Sequence, residues 1–176
     1  MEAVGIGLVG YGTVGSGVGR LLSEGVDEIR LATGKDVVLR TVCELSPERR
    51  ALVPPGVALT TDYADLVNDP AIDVVIELIG GIEPARTIQL AALKAGKAVV
   101  TANKQLLSQY GAELLQAAED HGAFLRFEAS SVEPETNQRA ASGAPLSCGE
   151  RAVSSVTGRR SGPRTILIYC LVLPGI

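Results

Sequence analysis

The amino-acid sequence predicts an α/β fold, in which a doubly wound, mostly parallel sheet is followed by an irregular C-terminal tail. Up to about residue 130, short apolar runs typical of buried strands alternate with stretches of helical periodicity. From residue 131 onward the chain becomes rich in proline, glycine and serine, and neither periodicity is sustained. We therefore expect an α/β domain over residues 1–130 and an irregular tail over residues 131–176.

The elements of the first part can be placed in order from their apolar runs and their end signals. Asp62 and Asn103 are residue types that cap helix starts, and Gly96 and Gly122 follow the last periodic positions of two helices. The segment over 25–36 is longer than a minimal connection between a helix and a strand requires. The predicted strands cover residues 4–9, 37–43, 73–79, 98–101 and 124–128, and the predicted helices cover residues 14–22, 63–68, 83–95 and 103–120.

Composition and charge limit the classes of protein to consider. The 176 residues are 46% hydrophobic, which is enough apolar material for a normal core. A net charge of −4 argues against nucleic-acid binding, and the apolar runs are too short for a signal peptide or a membrane span. Three widely spaced cysteines, Cys43, Cys148 and Cys170, fit a reducing compartment, so we expect a cytoplasmic protein.

A G-x-G-x-x-G spacing directly follows the first predicted strand, with its glycines at Gly10, Gly12 and Gly15. In a dinucleotide-binding loop the first glycine allows a tight turn, and the second lets a pyrophosphate approach the backbone. The third lets the helix pack closely on the strand. The N–H groups of the following helix, which begins around Thr13 and Val14, then hold the phosphates. A purely structural turn is the alternative, but the flanking strand and helix favour a dinucleotide site.

Residues that follow the second strand bear on the choice of dinucleotide. Glu44 stands where an acidic side chain accepts hydrogen bonds from the adenosine ribose, which favours NAD. Arg49 and Arg50 follow closely and are suited to the 2′-phosphate of NADP. The sequence thus leaves NAD and NADP both open.

Residues after the later strands are candidates for the nicotinamide half of the site. Gly80 belongs to a glycine pair that either admits the cofactor or only closes a strand-to-helix turn. Thr101 and Lys104 flank a predicted helix start, where a cation is not stabilised by the helix dipole. Lys104 is therefore either a functional cation or a solvated lysine. Glu77 lies on the same strand as Asp73, but we expect the two at opposite ends and not in one catalytic site.

Four segments together resemble the cofactor domain of homoserine dehydrogenase, over residues 3–130 in unbroken order. The stretch Val-Val-Thr-Ala-Asn-Lys over 99–104 is far more specific than the glycine loop. The resemblance implies a Rossmann-type domain that binds NADP or NAD. It implies reversible hydride transfer between this cofactor and the L-homoserine/L-aspartate 4-semialdehyde pair, in the pathway to threonine and methionine. The segments cover residues 7–18, 77–81, 96–104 and 127–130.

The resemblance also assigns roles to single residues. Lys104 matches a family lysine that lies near nicotinamide and substrate, where an ammonium polarises the carbonyl and stabilises developing negative charge. Glu128 matches the glutamate of a monovalent-cation site in the family, which also needs carbonyl groups from a glycine-rich turn. Residues 131–136 do not match that turn. Members of the family commonly form homodimers.

The chain departs from the family pattern after residue 130. The substrate domain that carries further catalytic residues in the family has no counterpart in residues 131–176, as in a truncated or frame-shifted gene product. Two functions follow as hypotheses. The first is an oxidoreductase of the homoserine dehydrogenase type, and the second is a non-catalytic NAD(P)-binding module without turnover.

Overall fold

The fold is seen in a computed structural model that describes residues 3–127. Six strands and six helices make up this part of the chain. The tail predicted over residues 131–176 lies outside the described residues. The strands are β1 (Ala3–Val9), β2 (Asp36–Cys43), β3 (Ala58–Thr60), β4 (Val74–Glu77), β5 (Ala98–Thr101) and β6 (Leu125–Phe127), and the helices are α1 (Thr13–Glu24), α2 (Val26–Thr33), α3 (Pro47–Arg50), α4 (Tyr63–Asn68), α5 (Ala85–Lys94) and α6 (Lys104–Asp120).

All six strands form one sheet in the order β3-β2-β1-β4-β5-β6, and every neighbouring pair is parallel. The chain order reverses between β1 and β4, which is the switch point at which such sheets bind ligands. This strand order is that of a Rossmann-type fold. The predicted doubly wound α/β class is therefore confirmed, and the sheet is parallel throughout the described residues.

Both faces of the sheet are covered, which explains the nearly continuous apolar strand sequences. On one face Ile6 and Leu8 of β1 pack with Leu22 of α1 and Ile29 of α2. On the other face the strand residues pack against α4, α5 and α6. That second core includes Leu66, Val75, Ile88, Leu93, Val99, Leu106 and Leu114.

Several element boundaries agree with the sequence prediction and several elements were missed. The bounds of α4 and β5 are as predicted, and the Asp62 side chain caps α4 by accepting from the Ala64 N–H. The segment over 25–36 contains α2, of which only Ile29 is buried, so its apolar periodicity is too weak to detect. The short α3 has no buried residue and β3 has only three residues, so neither leaves a pattern.

Gly19 makes room for the side chain of Tyr11, the residue between the first two motif glycines. The Tyr11 side chain is buried among the core residues under α1. A Cβ atom built at Gly19 would lie 2.6 Å from the Tyr11 hydroxyl oxygen. Burial also raises the pKa of Tyr11, and nearby Arg20 partly opposes that shift. Because the Tyr11 ring is packed among these core residues, it has little freedom to move away from a methyl group at Gly19.

We predict that Gly19→Ala lowers the free energy of unfolding by roughly 1–3 kcal/mol, because the added methyl group overpacks the Tyr11 ring. Urea unfolding of the chain measures this. Gly17→Ala is the matched control, since a Cβ there meets no atom of another described element within 4 Å. It should leave stability unchanged or raise it by about 0.5–1 kcal/mol. In a Tyr11→Leu background Gly19→Ala should cost much less, and an equal cost in both backgrounds would contradict the assignment.

Candidate dinucleotide-binding site

The turn between β1 and α1 requires glycine at two of the three motif positions. Gly10 has φ +92°, in the left-handed region that side chains disfavour. A Cβ at Gly15 would lie 2.0 Å from the carbonyl oxygen of Gly10, which no side chain can tolerate. The Gly10 N–H also donates to the carbonyl of Cys43 at 2.9 Å, which connects the loop to the end of β2. The tight turn and close helix packing expected at Gly10 and Gly15 are thus present.

The space beside Gly12 is open. Apart from its two chain neighbours, the only described group within 4 Å of a Cβ at this position would be the guanidinium of Arg49, with Nη1 at 3.7 Å. Within residues 3–127 no side chain caps the N-terminus of α1, and its first turn contains no acidic residue, whereas α3, α4 and α6 each have a side-chain cap. Thr13 and Val14 in this first turn are exposed. The start of α1 is therefore suited to an anion that accepts from its N–H groups.

Glu44 connects the glycine loop to the chain that follows β2. Its side chain is 7% exposed, and Oε2 accepts from the Tyr11 N–H at 2.7 Å while Oε1 accepts from the Ser46 N–H at 3.0 Å. Burial acts to raise the pKa of Glu44, but these backbone donors and Arg49 outweigh it and hold the pKa below its ordinary value. A carboxylate has acceptor positions beyond these two bonds, so the ribose contact of Glu44 stays a prediction.

Glu77, the last residue of β4, is a second buried carboxylate at the same edge, with 0% exposure. Its Oε1 accepts from the Ile79 N–H at 2.8 Å and from the Gly80 N–H at 3.2 Å. Its Oε2 accepts from the Thr101 hydroxyl at 2.8 Å and from the Gln89 amide at 2.7 Å. Glu77 therefore connects the loop after β4 with β5 and α5.

Asn103 connects the same loop to the start of α6. Its N–H donates to the Thr101 hydroxyl oxygen at 3.0 Å, and its side-chain amide donates to the carbonyl of Gly81 at 2.6 Å. Its Oδ1 accepts from the Leu106 N–H at 3.1 Å and caps α6. Lys104 follows as the first residue of α6 and is exposed. Thr101 is buried, with its hydroxyl group bonded on both sides.

The strand register aligns these positions along one edge of the sheet. Val9 lies opposite both Cys43 and Glu77, and Glu77 lies opposite Thr101. The carboxyl ends of β2, β1, β4 and β5 therefore form a row, and the predicted site residues follow it. Contact of each residue with a cofactor stays a prediction. The predicted site residues at these strand ends or in the chain directly after them are Gly10, Gly12, Thr13, Val14, Gly15, Glu44, Gly80, Thr101 and Lys104.

The sequence patterns do not predict Glu77 as a site residue, although Glu77 begins the segment over 77–81 that resembles the family. Asp73 and Glu77 lie at opposite ends of the strand segment over 73–77, as expected, and Asp73 accepts from the Gly5 N–H. A detectable signal existed, because Glu77 ends an apolar strand over 74–76 that is buried on both faces. A carboxylate in such a place needs hydrogen-bond partners, so it indicates a polar network at the strand end.

The opposite, amino-terminal edge of the sheet has a cavity of about 470 Å³ beside Lys97 and Phe124. The Lys97 ammonium donates to the carbonyls of Asp69 and Ile72, at 2.7 and 2.6 Å. Burial lowers the pKa of Lys97, and the carboxylates of Asp69 and Asp73 partly oppose this. The ammonium thus has backbone partners, and the cavity lies away from the strand ends where parallel sheets bind ligands.

Within residues 3–127 no group of three or more metal-ligating side chains is placed to hold a metal ion. Glu128, predicted as a cation ligand, lies outside the described residues. Over the same range no helix is long and apolar enough to cross a membrane.

Comparison with known proteins agrees with this geometry. Residues 10–128 match the family described as homoserine dehydrogenase, NAD binding domain. The chain is 42% identical over 131 residues to the homoserine dehydrogenase of Bacillus subtilis, a match that covers 74% of this chain. It is 46% identical over 131 residues to that of Corynebacterium glutamicum, which covers 73% of this chain. It spans about 30% of the length of these curated relatives.

Solved structures show the same likeness. A homoserine dehydrogenase from Thiobacillus denitrificans superposes with a TM-score of 0.69 at 40% identity, over 73% of this chain and 30% of that one. The S. aureus homoserine dehydrogenase gives a TM-score of 0.65 at 36% identity, over 72% of this chain and 32% of that one. With the family match over residues 10–128, the chain belongs to the homoserine dehydrogenase family, of which it carries the NAD-binding domain.

Proposed function

We propose that the protein is an NAD(P)-dependent oxidoreductase that interconverts L-homoserine and L-aspartate 4-semialdehyde. The observation that carries the proposal is the cradle formed by the open space beside Gly12 and the uncapped N-terminus of α1. Membership of the homoserine dehydrogenase family supplies the reaction class. Homodimer formation and a cytoplasmic location, expected from the sequence, stay predictions.

The proposed cofactor contacts follow the row of strand ends. The backbone of Gly12, Thr13 and Val14 would hold the pyrophosphate, because the first N–H groups of a helix favour an anion. Glu44 would accept from the adenosine ribose with its remaining acceptor positions. Gly80 follows the end of β4, and Thr101 is the last residue of β5. Both strands lie on the other side of the switch point, where the nicotinamide would lie.

Lys104 is the proposed catalytic residue. A bound nicotinamide supplies or accepts the hydride. The ammonium group of Lys104 would donate a hydrogen bond to the aldehyde oxygen and stabilise the negative charge that develops there as the carbonyl carbon gains hydride. In the direction of homoserine oxidation the same group would stabilise the alkoxide that forms when the hydroxyl group releases its proton to solvent water. Its exposure at the start of α6 supports contact with a substrate.

The first prediction from this proposal concerns the pyrophosphate. Gly12→Ala should leave the fold intact, because the nearest atom to the new Cβ is the Arg49 Nη1 at 3.7 Å. It should nevertheless weaken NADH or NADPH binding by about tenfold or more, since the methyl group occupies the space for the phosphates. Titration calorimetry with circular dichroism measures both quantities. Gly17→Ala is the matched control, and equal binding by both variants would argue against the proposed cradle.

The second prediction concerns the 2′-phosphate. Arg49 lies over Gly12 with its guanidinium 3.8 Å from the Glu44 carboxylate, and it is 56% exposed. Arg49→Ala should weaken NADPH binding by about tenfold and change NADH binding much less, because only NADPH carries a phosphate that pairs with a guanidinium. Arg40→Ala, which removes an exposed arginine from β2, is the control. A proportional loss for both dinucleotides would exclude a 2′-phosphate contact.

The third prediction concerns turnover. With homoserine and NAD or NADP, wild-type protein should form reduced nicotinamide, measured by its absorbance. Lys104→Met should lower kcat/KM by about 100-fold or more, because it removes the charge that stabilises the transition state. Lys94→Met, at the exposed end of α5, is the control. Dinucleotide binding without turnover by the wild type would support the binding-module hypothesis, and no binding would contradict both hypotheses.

A further inference from the structure

We infer that Glu77 is a positioning residue for the nicotinamide half of the site. Its carboxylate joins the loop over 78–81 and the start of α6 into one unit, and so determines where Gly80 and Lys104 face a bound dinucleotide. The inference rests on the proposed dinucleotide site and assigns that site a residue that makes no cofactor contact of its own.

The first argument is the energetic cost of the carboxylate. Removing an ionised carboxylate from water is costly unless hydrogen bonds replace its hydration. Glu77 is fully buried, and its four hydrogen bonds come from two backbone N–H groups, a hydroxyl and an amide. An apolar residue like those over 74–76 would fill the strand end without this cost. The contribution of the carboxylate is therefore to hold its four donor groups in one arrangement.

The second argument is the nature of the loop that Glu77 holds. Gly80 and Gly81 both have φ +73°, and a Cβ at either would meet no atom of the described part of the chain within 4 Å, chain neighbours aside. Two glycines in a row have many accessible backbone conformations and no side chains that could pack. The N–H groups of Ile79 and Gly80 both bond to Glu77 Oε1, so this carboxylate selects one conformation of the loop.

The third argument is that the contacts close a ring. Glu77 accepts from the Thr101 hydroxyl, which accepts from the N–H of Asn103. Asn103 in turn donates to the carbonyl of Gly81, which returns the connection to the loop after β4. Because Asn103 also caps α6, the position of Lys104 is coupled to the loop.

The fourth argument comes from Gln89, which is also fully buried. Its Nε2 donates to Glu77, while its Oε1 has no hydrogen-bond partner in the described part of the structure. An unsatisfied buried acceptor costs free energy. The opposite amide orientation would place an oxygen against the carboxylate, so Glu77 determines how Gln89 is oriented.

The test separates the two halves of the cofactor. ADP-ribose contains the adenosine and pyrophosphate parts of NADH but lacks the nicotinamide ring. A merely structural role for Glu77 would weaken both ligands in proportion. A positioning role predicts that Glu77→Gln, which keeps the side-chain volume, binds ADP-ribose within about twofold of wild type, while NADH binding falls about tenfold. The fluorescence enhancement of bound NADH should fall with it. If the wild type binds NADPH more tightly than NADH, the same comparison is made between NADPH and 2′-phospho-ADP-ribose.

Thr101 provides a second pair of variants if Glu77→Gln does not fold. Thr101→Val removes the hydroxyl at nearly constant volume and should have the same selective effect on NADH. Thr101→Ser keeps the hydroxyl and should restore most of the NADH affinity. Ser108→Ala, on the exposed face of α6, is the unrelated control.

Three results would overturn the inference. They are unchanged NADH binding in Glu77→Gln and Thr101→Val, a proportional loss of both ligands, and a wild type that binds ADP-ribose as tightly as NADH. A wild type that binds neither ligand contradicts the proposed dinucleotide site instead, so the two failures can be distinguished.

Discussion

The approach of α1 to the end of β1 is the constraint on which the rest of the site depends. Gly15 lies so close to the carbonyl of Gly10 that a Cβ would be 2.0 Å away. This contact sets the direction in which α1 leaves the sheet, and hence where its N-terminal N–H groups point. It also places α1 over the core of one face, with Tyr11 buried beneath it beside Gly19.

Buried carboxylates bind the loop N–H groups on both sides of this turn, at the carboxyl edge of the sheet. Glu44 accepts from the backbone of Tyr11 and Ser46 on the β2 side, and Glu77 accepts from the backbone of Ile79 and Gly80 on the β4 side. Loops at this edge begin at strand ends, where N–H groups lose their ladder partners. Carboxylates are strong acceptors for such groups and bind them in a defined direction. The amino-terminal edge uses the opposite charge, since Lys97 donates to two loop carbonyls.

Much of the fold could be read from the chain because its signals are local. Strands buried on both faces appear as apolar runs, and α4 and β5 were placed at their observed bounds. The elements that were missed, α2, α3 and β3, bury little, so their sequences have no strong periodicity. The apolar run predicts that β4 ends at residue 79, whereas the strand ends at Glu77, because the N–H groups of Ile79 and Gly80 donate to the Glu77 carboxylate and not to a neighbouring strand.

The candidate site also divides into features that local sequence patterns predict and features that they do not. The α/β class, the glycine loop and the strand ends at which Glu44, Gly80, Thr101 and Lys104 lie are predicted from the chain alone, since glycine spacing and apolar runs are properties of neighbouring residues. The folded structure was needed to show that Glu77, Thr101 and Asn103 form one ring with Gly81, that Arg49 lies over Gly12, and that Gly19 must leave room for Tyr11. Those contacts join residues that are distant in the chain, and they depend on strand order and register, which no local pattern contains.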